Sequence, residues 1–195
     1  MKTSHLILAA ALASAPLSAI AGPWAIDKGH ASINFSVDHF GFSDVHGQFR
    51  EFDAQIDFDP ENIDATSASF TINAASFDTN LAARDDHVKS ADFLNVDEYP
   101  SITFTTTKVT QTGDETADIE GEMTIRGVTK PVTFKAELNQ LGASPFDPSL
   151  EVAGFTISGE IDRTEFGIDT YAPAIGATLP VVINFEMSPS DADNT

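Results

Sequence analysis

From His30 to Phe40 the chain alternates, with Ile33, Phe35 and Val37 apolar and Asn34, Ser36 and Asp38 polar between them. A period of two puts alternate side chains on opposite faces of a strand, so this run predicts a strand with one wet face. The pattern returns at Phe52, Ala54, Ile56 and Phe58, at Phe70, Ile72 and Ala74, and at Ile102 and Phe104. It continues at Ile119, Gly121, Met123 and Ile125 and at Val132, Phe134, Ala136 and Leu138. Two further runs carry Phe155, Ile157, Gly159 and Ile161, then Val181, Ile183, Phe185 and Met187. Turn-forming residues separate them at Asp59-Pro60-Glu61-Asn62, Thr112-Gly113-Asp114, Arg126-Gly127-Val128 and from Gly142 to Ser149. Eight amphipathic strands with short connections predict an all-β fold, an antiparallel barrel or a sandwich.

One segment departs from that pattern. Between Thr79 and Asn95, "TNLAARDDHVKSADFLN", Leu81, Val88 and Ala91 recur at helical spacing, and Thr79 or Asn80 offers an N-cap. This predicts a short helical insert in the crossover between strands three and four. Tyr99-Pro100 ends it, because the residue before a proline is pushed toward extended geometry.

Composition narrows the choice of barrel. The first twenty-one residues, "MKTSHLILAAALASAPLSAIA", combine Lys2, an apolar stretch from Leu6 to Ala15 and a small-x-small end, the form of a secretory signal cut before Gly22. No later stretch offers eighteen uncharged apolar residues, so a soluble mature protein without stable membrane insertion is expected. The organisation expected is a signal at 1–21, one barrel domain at 22–188 and a disordered tail at 189–195. With no cysteine, a secreted chain must be held by its core alone and has no thiol for catalysis or soft metals. Thirty acidic against ten basic residues give a net charge of −20, which disfavours nucleic acid and anionic membrane surfaces as partners. An outer-membrane barrel needs belts of Trp and Tyr, yet this chain has one Trp and two Tyr against fifteen Phe, which points the phenylalanines inward.

The small residues on the apolar phase bear on what that interior holds. Ala54, Ala74, Ala117, Gly121, Ala136 and Gly159 add little volume, and an eight-stranded barrel is wide enough either to be filled by side chains or to hold one small ligand. A cavity and a core filled by neighbouring phenylalanines both fit the sequence.

Four blocks carry a wider resemblance: "WAIDKGHASINFSVDHFGFSDVHGQF" (24–49), "RDDHVKSADFLNVDEYPSITF" (84–104), "GEMTIRGVTKPVTF" (121–134) and "IDRTEFGI" (161–168). In this order the chain resembles the YceI-like family of periplasmic lipid-binding proteins over essentially the whole mature sequence. The resemblance implies an eight-stranded, lipocalin-like antiparallel barrel in the periplasm, holding a polyisoprenoid, an isoprenoid quinone, a polyprenyl phosphate or a similar long-chain amphiphile. It differs near the end, where "IGATLPVV" replaces the glycine and acidic residues often found before the last strand.

The candidate ligand wall is Phe35, Val37, Ile56, Phe58, Phe70, Ile72, Ile102, Phe104, Ile119, Met123, Phe134, Phe155, Ile157 and Ile161. His39, Arg84, His87, Phe93 and Arg163 are candidate contacts at its rim or to a head group. Within the insert, Phe93 and Leu94 are expected to turn toward the cavity while Arg84, Asp85, His87 and Lys89 pin it as a lid; a purely structural plug is the alternative. Arg163 continues the inward phase of Ile161 and needs an anionic partner, either a salt bridge to Asp162, Glu165 or Asp169 or an acidic ligand head. His30, His39 and His46 lie at spacings that match no compact metal motif, so no metal and no cofactor are expected. No arrangement looks catalytic. The alternatives to a binding protein are a lipid-modifying enzyme, with His87 as base oriented by Asp85 or Asp86, and a filled barrel acting as an interaction module. Oligomeric state stays open, a homodimer included.

Overall fold

The computed structural model describes residues 22–190. The expected signal segment lies outside the described residues, as does the expected tail beyond Ser190. Ten strands are present: β1 (Gly22–His39), β2 (Ser43–Phe49), β3 (Phe52–Phe58), β4 (Ser67–Asn73), β5 (Phe77–Asp78), β6 (Ser101–Gln111), β7 (Thr116–Ile125), β8 (Val128–Ala143), β9 (Glu151–Asp162) and β10 (Thr178–Pro189). One helix, α1 (Ala82–Lys89), follows β5. The strands make eight staves, because two staves are broken. β2 and β3 lie end to end, β2 pairing with Ile33–His39 of β1 and β3 with Gly22–Trp24. β4 and β5 are likewise separated by a 3-10 turn, Ala74–Ser76. Each of the remaining strands pairs with the next, and β10 returns to β1, closing an antiparallel eight-stranded barrel. The helical insert sits between the third and fourth staves, as the change of period predicts.

Three strands run farther than their alternation suggests, for one reason. In β1, Trp24 and Ile26 share the inward phase, a bulge intervenes between Asp27 and Ser32, and Ile33 then restarts the pattern on odd numbers. Similar register shifts separate Phe104 from Val109 in β6 and Leu138 from Leu141 in β8. Inserting residues into one strand of a pair flips the face on which later side chains emerge, so a single-phase reading stops at the bulge. β2 escapes the pattern differently. Its inward row is Val45, Gly47 and Phe49, and only two of these are apolar and bulky. At the other end, Pro189 pairs with Trp24 and the Ser190 amide donates to the Pro23 carbonyl at 2.9 Å, so the last strand includes a residue that sequence alone assigns to the tail.

The outward face carries Asp53, Gln55, Asp57, Thr71, Glu120, Glu122, Lys135, Glu137, Ser158 and Glu160. An apolar interior with a charged exterior is the inverse of a barrel that faces lipid. Among the described residues no helix is long and apolar enough to cross a membrane. The two-residue turn Arg126-Gly127 joins β7 to β8, with φ of 50° and 73°, matching the twist of a tight hairpin that needs positive φ at both positions.

Phenylalanines form the inner layer in three groups. Phe58, Phe155 and Phe185 run in contact from Trp24, Phe104 meets Phe134 edge to face, and Phe35, Phe49 and Phe77 pack together at the helical end. Two of the small inward residues exist for these rings. A Cβ added at Gly121 would come within 2.4 Å of the Phe104 ring, and one at Gly159 within 2.5 Å of Phe134. Ala117 and Ala136, paired across β7 and β8, instead face open space. The interior is therefore filled at Gly121 and Gly159 and left open at Ala117 and Ala136, whereas Ala54 and Ala74 line neither cavity.

Candidate ligand-binding cavity

Two adjoining apolar cavities occupy the barrel. The one beneath α1 measures about 260 Å³ and is walled by residues such as Phe35, Phe77, Phe93, Ile102 and Ile161. The other, about 130 Å³, lies toward the β6–β7 hairpin and is walled by residues such as Ile56, Phe58, Phe70, Ile119 and Phe155. Ile33, Ile72, Met123, Phe134 and Ile183 belong to both walls and form a waist between them. All nineteen candidate residues face one cavity or the other. Phe35, Val37, His39, Arg84, His87, Phe93, Ile102, Ile161 and Arg163 line the capped cavity, while Ile56, Phe58, Phe70, Phe104, Ile119, Phe155 and Ile157 line the far one. Ile72, Met123 and Phe134 stand at the waist.

The cap over the first cavity is tied down more elaborately than its charges suggest. Asp85 is buried and accepts from both the amide and the hydroxyl of Thr79, while Arg84 donates to the Thr79 hydroxyl at 2.6 Å and its carbonyl at 2.8 Å. Thr79 is thus not the helix N-cap. Leu81 occupies that position without a side-chain bond, because Thr79 is drawn to Asp85 one turn into the helix. Phe93 and Leu94 are buried against the cavity, as expected. His87 and Lys89 do not pin the segment to the rim. Lys89 makes no ion pair among the described residues, and His87 bonds within the insert, its Nε2 lying 3.2 Å from Asp92. The pin that sequence reading misses is Arg126, whose guanidinium donates to the carbonyls of Ala91 at 2.9 Å and Gly167 at 2.8 Å. Thr170 adds a bond to the Asp92 carbonyl at 2.6 Å. Arg126 could have been singled out as the only charge in a tight turn; nothing local in sequence shows that the turn faces the insert.

Tyr171, from the loop between β9 and β10, completes an aromatic cluster with His87 and Phe93, its ring centroid 6.2 Å from each. The divergent "IGATLPVV" segment lies at this same end, where Ile175 and Leu179 line the capped cavity. Val45, Phe49 and Phe77 were also missed as wall residues, because β2 and β5 are short pieces of broken staves.

Arg163 overturns the expected salt bridge. It is buried, and its Nε, Nη1 and Nη2 donate to the carbonyls of Gly176 (3.0 Å), Ile168 (2.5 Å) and Ile175 (2.9 Å). It forms no ion pair with Asp162, Glu165 or Asp169 among the described residues. Asp162 instead caps the next turn, accepting from the Thr164 amide and hydroxyl. Burial pushes the guanidinium below its ordinary range, and Asp169 and Asp162 oppose that shift from a distance. Three carbonyl dipoles do the work of a counter-ion.

The histidines scatter. His46 pairs outward across from Ser36, and His39 sits at the rim against Phe40, their centroids 4.6 Å apart. His30 returns over the β1 bulge to Asp27, Nδ1 to Oδ2 at 2.8 Å, and ligand atoms of Asp27, His30 and Glu186 lie within 4.8 Å of one another on the surface. The Asp27 hydrogen bond and the charges of Asp27 and Glu186 raise the His30 pKa above its ordinary value, while the bond to His30 lowers that of Asp27. A raised folded-state pKa favours the protonated imidazole in the native chain. Its stabilisation is full below the unfolded value of about 6.5 and fades as pH rises through the folded one. An NMR titration should place His30 above 6.5, and Asp27→Asn should lower it.

His87 does not meet the carboxylates expected to orient it as a base. Asp85 is committed to Thr79, Asp86 is exposed, and His87 turns to Asp92.

The fold and cavity define a class: a closed antiparallel barrel whose apolar interior is partly open beneath a helical cap. The model of the YceI-like domain matches residues 24–187, and the chain belongs to that family. It is 42% identical over 171 residues to Protein YceI of Escherichia coli O157:H7, covering 87% of this chain and 88% of that one. Among solved structures it resembles BcnA of Burkholderia cenocepacia with a TM-score of 0.75 at 24% identity, covering 83% of this chain and 98% of that chain. A polyisoprenoid binding domain from Saccharophagus degradans, implicated in plant cell wall breakdown, aligns with a TM-score of 0.65 at 13% identity. That match covers 86% of this chain and 98% of the domain, and at such identities both structures attest the fold.

Proposed function

We propose that this protein is a periplasmic binding or carrier protein that holds one long-chain amphiphile of isoprenoid type along the barrel axis. The observation that carries this reading is the pair of adjoining apolar cavities, one of them under a cap pinned by Arg84, Asp85 and Arg126. A preformed apolar channel suits a branched hydrocarbon chain, since each buried methylene contributes about 0.8 kcal/mol without any directional contact. The polyisoprenoid-binding neighbour of the same fold supports the ligand class, and the secretory form of residues 1–21 supports the compartment. Catalysis finds less support, because neither Asp85 nor Asp86 meets His87, and its carboxylate partner Asp92 is exposed. Native mass spectrometry and organic extraction of protein purified from its own host should reveal one long-chain lipid per protomer. An empty chain whose melting temperature ignores added isoprenoids would sink the proposal. Within it, Phe93 acts as the underside of a lid. Phe93→Ala should keep the fold and lower lipid occupancy severalfold, and unchanged occupancy would leave the insert as a structural plug.

A further inference from the structure

Among the described residues three buried hydroxyls lack a hydrogen-bond partner, those of Thr66, Thr106 and Thr110, and the first two face the far cavity. The Gln111 side chain donates to the Gly113 carbonyl, the Gln111 amide donates to Asp64, and the Thr112 and Thr116 hydroxyls bond to each other. By contrast the hydroxyl oxygens of Thr66 and Thr106 are buried and have no hydrogen-bond partner among the described residues, and both residues line the far cavity. Their position follows from strand phase. Thr66 precedes Ala68, Phe70 and Ile72 on the inward side of β4, and Thr106 follows Ile102 and Phe104 on the inward side of β6. These strands are neighbours, paired up to Ser69 and Thr105, so continuing the register puts Thr106 opposite Ala68 and Thr66 at the next inward position along the same wall.

An unmet hydroxyl in an apolar wall is unfavourable unless something that enters the cavity meets it. Electrostatics then select what enters. Among the described residues the ionisable ones around this cavity are Asp114 and Glu115, whereas Arg84 and Arg163 lie in the other one. A phosphate or carboxylate would meet like charge here, and the chain as a whole carries −20. Arg163 offers a poor alternative berth for an anion, because three of the five N–H donors of a guanidinium are already given to carbonyls.

We infer that the far cavity is the head-group subsite, and that Thr66 and Thr106 bind an uncharged oxygen there: a hydroxyl, carbonyl or amide of an isoprenoid lipid. The hydrocarbon chain then runs past the waist at Met123 and Phe134 into the capped cavity. This rests on the lipid-binding reading above and gives the bound molecule a direction and a head chemistry.

The test compares three isoprenoid probes, the hydrocarbon squalene and the matched pair geranylgeraniol and geranylgeranyl monophosphate, titrated into the delipidated mature protein. The alcohol should bind at least tenfold tighter than the phosphate. Thr66→Val with Thr106→Val, nearly isosteric, should weaken geranylgeraniol at least tenfold and leave squalene unchanged. The same double variant should melt higher than wild type without ligand, since it removes two unmet hydroxyls. A lower melting temperature would mean that water or protein satisfies these groups, and would overturn the subsite. Equal binding of the alcohol by variant and wild type, or preference for the phosphate, would overturn it as well. Those outcomes leave lipid binding standing. Failure of all three probes to bind would overturn both readings together.

Discussion

Ala136→Phe is expected to keep the barrel folded while abolishing most of its affinity for a long-chain lipid. Ala136 is buried, pairs with Ala117 across β7 and β8, and lines the far cavity. A phenyl ring placed there enters space that no other side chain fills, so the melting temperature should hold or rise. The ring would displace the ligand. Excluding roughly three methylenes at about 0.8 kcal/mol each removes about 2.4 kcal/mol, which is more than tenfold in affinity. Gly159→Ala is the control with the opposite signature. Its new methyl would sit 2.5 Å from the Phe134 ring, and such overpacking destabilises by about 1–3 kcal/mol. Measuring melting temperature and isoprenoid affinity for both variants separates a cavity from a packed core. If Ala136→Phe unfolds the protein while Gly159→Ala is silent, the assignment of open and filled positions is inverted.

The largest effect on stability is expected from Arg163→Met. The methionine fills similar apolar volume but leaves the carbonyls of Ile168, Ile175 and Gly176 without their donor. Hydrogen bonds to a charged group contribute about 1.5–3 kcal/mol each, so a net loss above about 3 kcal/mol is expected even after the desolvated charge is relieved. For a domain of this size that corresponds to a fall in melting temperature of roughly 6–12 °C. Hydrogen exchange should accelerate across 168–176, the loop that the guanidinium gathers. Arg163→Lys should recover only part of the loss, because a single ammonium cannot reproduce a planar fork to three carbonyls. A stable Arg163→Met protein that lost only its affinity for acidic lipids would return Arg163 to the head-group role.

These two residues show what kind of information sequence carries. Ala136 and Gly159 are both small residues on an inward phase, and period-two alternation places both correctly. Whether a small residue faces a ring or a void depends on the rotamers of residues on neighbouring staves. The same limit applies to Arg163. Its inward direction follows from the phase of Phe155, Ile157 and Ile161, but the nearby acids in sequence suggested a partner that the chain does not use. The loop from Ile168 to Gly176 turns its carbonyls inward, and backbone acceptors leave no mark on composition.

Alternation, turn residues and the change of period at Thr79 were enough to give eight amphipathic strands with a helical insert after the third, and the four blocks that resemble the YceI-like family chose the barrel over the sandwich. Alternation was also enough to name the strand residues that face its interior, from Phe35 to Ile161, because side-chain direction in a strand is a local property. Tertiary structure alone decided the breaks in the staves, the bulges, the two cavities with their waist, Arg126 as the pin of the cap, and the unmet hydroxyls of Thr66 and Thr106. Each of these depends on residues distant in sequence meeting at fixed register, and register is set by the closure of β1 on β10 rather than by any one segment.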